Sequence, residues 1–178
     1  MRIISGKYKG KRLVAPKKLP VRPTTDFSKE SLFNILNNHF HFDEISVLDL
    51  FAGTGNISYE FASRGCEQIC CVDSNASCIQ FINKTSDQLD LSINTVKSDV
   101  FKFLERTHLK STIVFADPPY GMEQESFESL VQLVIQNELL EEEGFLIVEH
   151  SKHTLLEHLP NFSFSRKYGG NVFSFFEI

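Results

Sequence analysis

The sequence predicts an α/β protein with a doubly wound, mostly parallel seven-stranded sheet that ends in an antiparallel β-hairpin. A short basic extension precedes it. Three observations carry that expectation. From about residue 45 to 150, short apolar runs alternate with helix-length segments, the rhythm of parallel βαβ units with right-handed crossovers. The rhythm then breaks: "FSFSRKY" and "VFSFFEI" flank Gly169-Gly170-Asn171, where glycine supplies the φ > 0 of a tight hairpin turn. Finally, 178 residues with 42% hydrophobic and 23% charged content suit one soluble globular body with a sizeable core.

The elements follow in order. "RPTTDF" signals a helix start that Thr24, Thr25 or Asp26 can cap, with Leu32, Ile35, Leu36 and Phe40 as its apolar stripe. "ISVLDLF" (45–51) is a buried strand, and 57–64 a helix closing at Gly65. "QICCVD" (68–73) is the second strand, followed by a helix to about Leu89. "INTVKSD" (93–99) is the third, with "VFKFLER" as a short helix. "STIVFA" (111–116) is the fourth, with a helix over roughly 125–140, and "GFLIVEH" (144–150) is the fifth. "EEE" at 141–143 reads as a solvated helix terminus.

Charge is unevenly distributed. Residues 1–25 hold eight Lys/Arg (Arg2, Lys7, Lys9, Lys11, Arg12, Lys17, Lys18, Arg22) and no acidic residue, whereas the rest holds ten against 23. Such asymmetry marks an arm that meets a polyanion, although a solvated basic tail has the same composition. Gly6 and Gly10 also permit a small hairpin there. Because the sheet starts well after it, the arm is expected to be removable without unfolding the rest. No apolar run nears the roughly 20 residues of a membrane span, and no apolar segment follows the N-terminal charges, so a cytoplasmic location is expected. Cys66, Cys70, Cys71 and Cys78 lack zinc-site spacing and read as buried small apolar residues, implying no metal.

Three strand ends could hold a ligand, because open α/β sheets bind beyond the carboxyl ends of their strands. The first runs Asp49-Leu50-Phe51-Ala52-Gly53-Thr54-Gly55-Asn56, in which Gly53 and Gly55 allow a tight turn and close backbone approach. The third glycine of a dinucleotide fingerprint and a phosphate-binding Lys are both missing, which argues against NAD and a P-loop. Asp73 ends the second strand, where it can accept from ribose hydroxyls or cap the following helix. Asp99 ends the third, placed to meet the amine of adenine. A cationic, adenosine-containing ligand without phosphate fits all three: S-adenosylmethionine.

The fourth strand ends in "ADPPY". Proline cannot continue a central ladder, so Pro118-Pro119 ends the strand and shapes a turn. The same corner can also act as a rigid clamp for a planar amino group.

With "DLFAGTGN", "VD" at 72–73, "SD" at 98–99 and "ADPPY" in order, the chain resembles class I S-adenosylmethionine-dependent N-methyltransferases of Rossmann-like fold. "MRIISGKYKGKRL" and "RPTTDFSKESLFNIL" narrow the resemblance to the bacterial RsmD family, which methylates the 2-amino group of one guanine in 16S ribosomal RNA. It spans essentially the whole chain and implies a basic arm or hairpin at 1–25 before a methyltransferase domain at 26–178. It implies that Asp49, Phe51, Ala52, Gly53 and Gly55 meet the methionine end of the cofactor, Asp73 and Ser74 its ribose, and Asp99 and Val100 its adenine. Asp117, Pro118 and Tyr120 would face the base, and Lys7, Lys9, Lys11, Arg12, Arg22 and Thr24 the RNA. The substrate would be 16S ribosomal RNA, free or within the small subunit, and the protein a monomer. Ser5, Phe27-Ser28 and Asp73 depart from residues common in the family, without removing a group the chemistry needs.

The resemblance also implies a division of labour at the corner. The Asp117 carboxylate and the Pro118 carbonyl would accept the two amine N–H bonds, and Tyr120 would stack on a base taken out of its helix. Two rivals remain open on sequence: an N-methyltransferase acting on adenine in DNA or another RNA, and a silent RNA-binding protein on the same scaffold.

Overall fold

The computed structural model describes residues 1–16, 19 and 25–178. Helix α1 (Asp26–Leu36) starts at the signalled place, with Thr25 as N-cap accepting from the Ser28 amide at 3.1 Å. Leu32, Phe33 and Leu36 are its buried face, and Phe40 lies beyond its end.

Five strands then alternate with helices: β1 (Ser46–Leu50), α2 (Asn56–Ser63), β2 (Gln68–Asp73), α3 (Ala76–Leu89), β3 (Ile93–Lys97), α4 (Val100–Leu104), β4 (Ser111–Ala116), α5 (Gln124–Gln136) and β5 (Leu140–Ser151). β6 (Phe162–Tyr168) and β7 (Asn171–Glu177) form the closing hairpin, with Tyr168 opposite Asn171 and Gly169 at φ +63° in the turn. The sheet order is β3-β2-β1-β4-β5-β7-β6, parallel from β3 to β5 and antiparallel in the last two pairings.

Both faces of the sheet are covered, so alternate residues of one strand enter different cores. Val47, Ile113 and Phe115 pack with Phe33, Phe61 and Ile82 on one side. Leu48, Leu50 and Val114 pack with Leu104, Leu130 and Val134 on the other. Burial on both faces is why these strands read as unbroken apolar runs.

β5 departs from the sequence reading. It begins at Leu140, so Glu141–Glu143 belong to a strand rather than a helix end, and α5 stops at Gln136. Ser111 pairs with Leu140 but Ile113 with Phe145, which places a bulge there, and Glu143 has φ +62°. Thr112 Oγ1 donates to Glu141 Oε2 at 2.7 Å. Solvated carboxylates on a bulge carry no strand periodicity, so the sequence signal was lost.

The N-terminal segment is a small hairpin docked on α2. The Ile3 amide donates to Lys11 O at 3.0 Å and the Gly10 amide to Ile3 O at 2.8 Å. Ile3 is 1% exposed and belongs to the first core. At Gly6 (φ +79°) a Cβ would lie 1.8 Å from the Ser63 carbonyl oxygen, so only glycine lets the hairpin approach. The Glu60 carboxylate accepts from the amides of Ile4 (2.8 Å) and Ser5 (3.0 Å) and from Arg64 Nε (2.9 Å). Buried Lys29 donates to Arg2 O at 2.6 Å and Asn56 Oδ1 at 2.9 Å, and lies 3.5 Å from Glu60. The arm is therefore docked on the body: Ile3 fills a buried position, the Ile4 and Ser5 amides meet the buried Glu60, and the Arg2 carbonyl meets the buried Lys29, contacts that its removal would break.

Candidate active site

Strand register aligns four carboxylates. Cys71 lies opposite Asp49, Asp49 opposite Phe115, and Phe115 opposite Ile147. Two residues further along their chains, Asp73, Asp117 and Glu149 join Asp49 on one face at the carboxyl ends of four neighbouring strands. That edge is where open α/β sheets hold ligands.

The loop after β1 is wound tightly, with positive φ at Phe51 (+58°), Gly53 (+54°) and Gly55 (+79°). Gly53 donates its amide to Asp73 Oδ2 at 2.8 Å, and the Asn75 amide reaches Asp73 Oδ1 at 2.7 Å. Asp73 thus braces the loop, while Asn75 caps α3 through the Ser77 and Cys78 amides. Asp99 does cap its helix, accepting from the Lys102 amide at 3.1 Å.

A groove of about 720 Å³ runs along this edge. It brings together Asp49, Phe51, Ala52, Gly53, Asp73, Ser74, Asp99 and Val100 with Asp117, Pro118 and Tyr120. Gly55 lies outside it, beneath the loop, where a Cβ would meet Tyr59 Cζ at 2.9 Å. Thr54 and Asn56 of the same loop also line it, as do Asn75, Cys78 and Phe115, to which the sequence reading gives no ligand role. Among the described residues no Lys, Arg or His lines it.

Burial pushes the Asp49 carboxyl up to about 7, with nearby Asp73 adding to the effect and the Ser58 hydroxyl, 2.5 Å away, opposing it. Burial likewise holds the Asp117 carboxyl well above the usual carboxylate range, reinforced by Glu149 and then Asp49.

Beyond the Asp117–Tyr120 corner lies a second cavity of about 230 Å³, which Glu149 and Asn171 also line. Pro118 is buried, while Tyr120 is 73% exposed at the rim. Lys7, Lys9, Lys11 and Arg12 are exposed on the docked hairpin, whose Met1 Sδ lies 3.8 Å from Thr54 Oγ1 of the groove. Arg22 and Thr24 lie outside the described residues.

The strand order, the glycine loop after β1 and the proline corner after β4 define a Rossmann-like class I methyltransferase. A solved Thermus thermophilus protein, TTHA0928, superposes with a TM-score of 0.86 at 26% identity, covering 100% of this chain and 99% of its own. YlbH of Bacillus subtilis strain 168 is 35% identical over 161 residues, 88% of this chain and 85% of that one. Ribosomal RNA small subunit methyltransferase D of Escherichia coli K12 is 31% identical over 182 residues, 97% of this chain and 86% of that one. A family model described as "Conserved hypothetical protein 95" matches residues 1–177. The chain belongs to this family, the RsmD family of methyltransferases.

Proposed function

We propose that this protein transfers a methyl group from S-adenosylmethionine to the exocyclic 2-amino group of a guanine in 16S ribosomal RNA. One observation carries the reading: the Asp117–Tyr120 corner stands between a long groove and a smaller cavity and lines both. A group held in the groove and a base held in the cavity would meet at that corner. The names of the relatives, ribosomal RNA small subunit methyltransferase D, support RNA of the small subunit as substrate.

The groove suits this cofactor. Among the described residues it is lined by carboxylates and by no side-chain cation, which favours a ligand with an ammonium and a sulfonium over one with phosphates. Asp49 and the 51–53 loop would face the methionine end, Asp73 and Ser74 the ribose hydroxyls, and Asp99 and Val100 the adenine. When bound, the cofactor supplies an electrophilic methyl group.

The chain's own residues supply placement. A guanine amine is a weak nucleophile because its lone pair is delocalised into the ring. Asp117 and the Pro118 carbonyl accept its two N–H bonds and aim that lone pair at the groove. The two prolines fix these acceptors before substrate arrives. Tyr120, exposed at the rim, stacks on the base and contributes about 1–3 kcal/mol. After transfer, the methylated nitrogen releases a proton, which Asp117, its N–H acceptor, is placed to take up. The exposed lysines of the docked hairpin draw in the phosphate backbone.

The test is nucleoside mapping of 16S RNA from cells with and without the gene. One guanine should lose its N2-methyl group on deletion. An unchanged 2-methylguanine map would overturn the reading.

A further inference from the structure

Glu149 has no place in the clamp just described, yet it stands beside it. It follows Val148, which pairs with Ala116, so Glu149 and Asp117 leave neighbouring parallel strands side by side. Glu149 is 4% exposed, lines the smaller cavity, and its Oε1 accepts from Asn171 Nδ2 at 2.6 Å. Asn171 opens β7 just after the hairpin turn, opposite Ser151, so the carboxylate is held from the neighbouring strand. Two carboxylates therefore stand side by side along one cavity, one at the proline corner and one bonded to Asn171.

Bases differ in what they show such a wall. Guanine presents the N1–H and the 2-amino group next to each other, both donors. Adenine and cytosine place an unprotonated ring nitrogen, an acceptor, beside their amino group. Against a carboxylate that acceptor is repelled, and the buried charge loses its partner, which is the strongest way for a site to reject a near-isostere.

The geometry points to Glu149 as the residue that selects guanine, by accepting the ring N1–H while Asp117 and Pro118 hold the 2-amino group. This rests on the function proposed above and adds a separate acceptor, with a separate consequence. A base that keeps the 2-amino group but lacks the N1–H should be a poor substrate although the reacting atom is unchanged.

The test compares one synthetic RNA carrying guanine or 2-aminopurine at the mapped position, assembled into small subunits where the free RNA is not methylated. Initial rates are measured for the wild type and for Glu149→Gln. In the variant the amide oxygen can keep the Asn171 bond, which leaves an NH₂ facing the base. The wild type should favour guanine by about 10- to 100-fold, the worth of a hydrogen bond to a charged group. Glu149→Gln should lose guanine activity by a similar factor and compress the ratio towards one, with S-adenosylmethionine affinity and unfolding midpoint little changed. An equal rate on both bases by the wild type overturns the inference even if the variant fails to fold. So does an unchanged ratio in a folded variant, the result expected if Glu149 merely anchors Asn171. Either result leaves the guanine methyltransferase reading intact, whereas no transfer to guanine RNA by the wild type sinks both.

Discussion

The Gly53 amide donates to Asp73 Oδ2 at 2.8 Å, so the glycine loop after β1 and the acidic end of β2 form one unit. Asp73 thus braces the loop and also lines the groove, at the place proposed for the ribose. Asp73→Ala should therefore act twice. It should weaken S-adenosylmethionine binding by about 10- to 100-fold, for one charge-assisted bond lost, and loosen the loop. Calorimetric titration reads the first effect and amide hydrogen exchange at Gly53 the second. Unchanged affinity would place the ribose elsewhere.

Asp49 gives a pH dependence with a definite sign. Its native carboxyl, raised to about 7, holds a proton that the unfolded chain releases near the ordinary value of 3.8. Its contribution to stability is therefore present at low pH and lost as pH rises through about 4 to 7. Asp49→Asn removes that titration. Relative to wild type, the variant should gain on the order of 2–3 kcal/mol between pH 5 and 7 in urea unfolding. A constant difference between the two proteins across that range would show that Asp49 titrates normally.

Glu60 and Lys29 lock the N-terminal hairpin onto α1 and α2. Burial pushes the Lys29 pKa down, while Glu60 and Asp26 oppose the shift. Lys29→Met leaves the Arg2 carbonyl without this donor and Glu60 without its buried cation, and should cost about 3 kcal/mol. Gly6→Ala should cost at least about 2 kcal/mol, from the left-handed backbone and the clash with Ser63 O. Chemical denaturation tests both. Wild-type stability after loss of residues 1–13 would refute the docked hairpin.

The same hairpin's outward charges can be altered without touching its docking. Reversing Lys7, Lys9, Lys11 and Arg12 should weaken RNA binding and flatten its salt dependence, by about 0.7–0.9 log units of slope for each phosphate no longer neutralised. The unfolding midpoint should hold. If both RNA affinity and slope stay as in wild type, these cations are merely solvated.

How much of this was legible in the sequence differs by residue. β1 and β4 declared themselves because burial on both faces leaves an unbroken apolar run, and their acidic or proline ends stood out against it. Asp49, Asp73, Asp99 and Asp117 were recognisable as acceptors at strand ends. Glu149 obeys the same rule at the end of "FLIVEH" but was passed over, because its neighbour Asp117 becomes visible only through the β4–β5 pairing. Glu60 carries no local signal of its burial, since the amides it satisfies lie 55 and 56 positions away. Gly55 was assigned to the ligand, yet its missing side chain makes room for Tyr59. Contacts made across the chain leave no local trace, and these are the ones the sequence hid.

The most direct test of the whole account is methyl transfer from tritiated S-adenosylmethionine to small ribosomal subunits purified from cells lacking the gene. Wild-type protein should place label in 16S RNA that digests to N2-methylguanosine. Asp117→Ala should transfer none, while binding S-adenosylmethionine within a few-fold of wild type. Label recovered in methyladenosine or in ribosomal protein, or near-normal turnover by Asp117→Ala, would contradict the account.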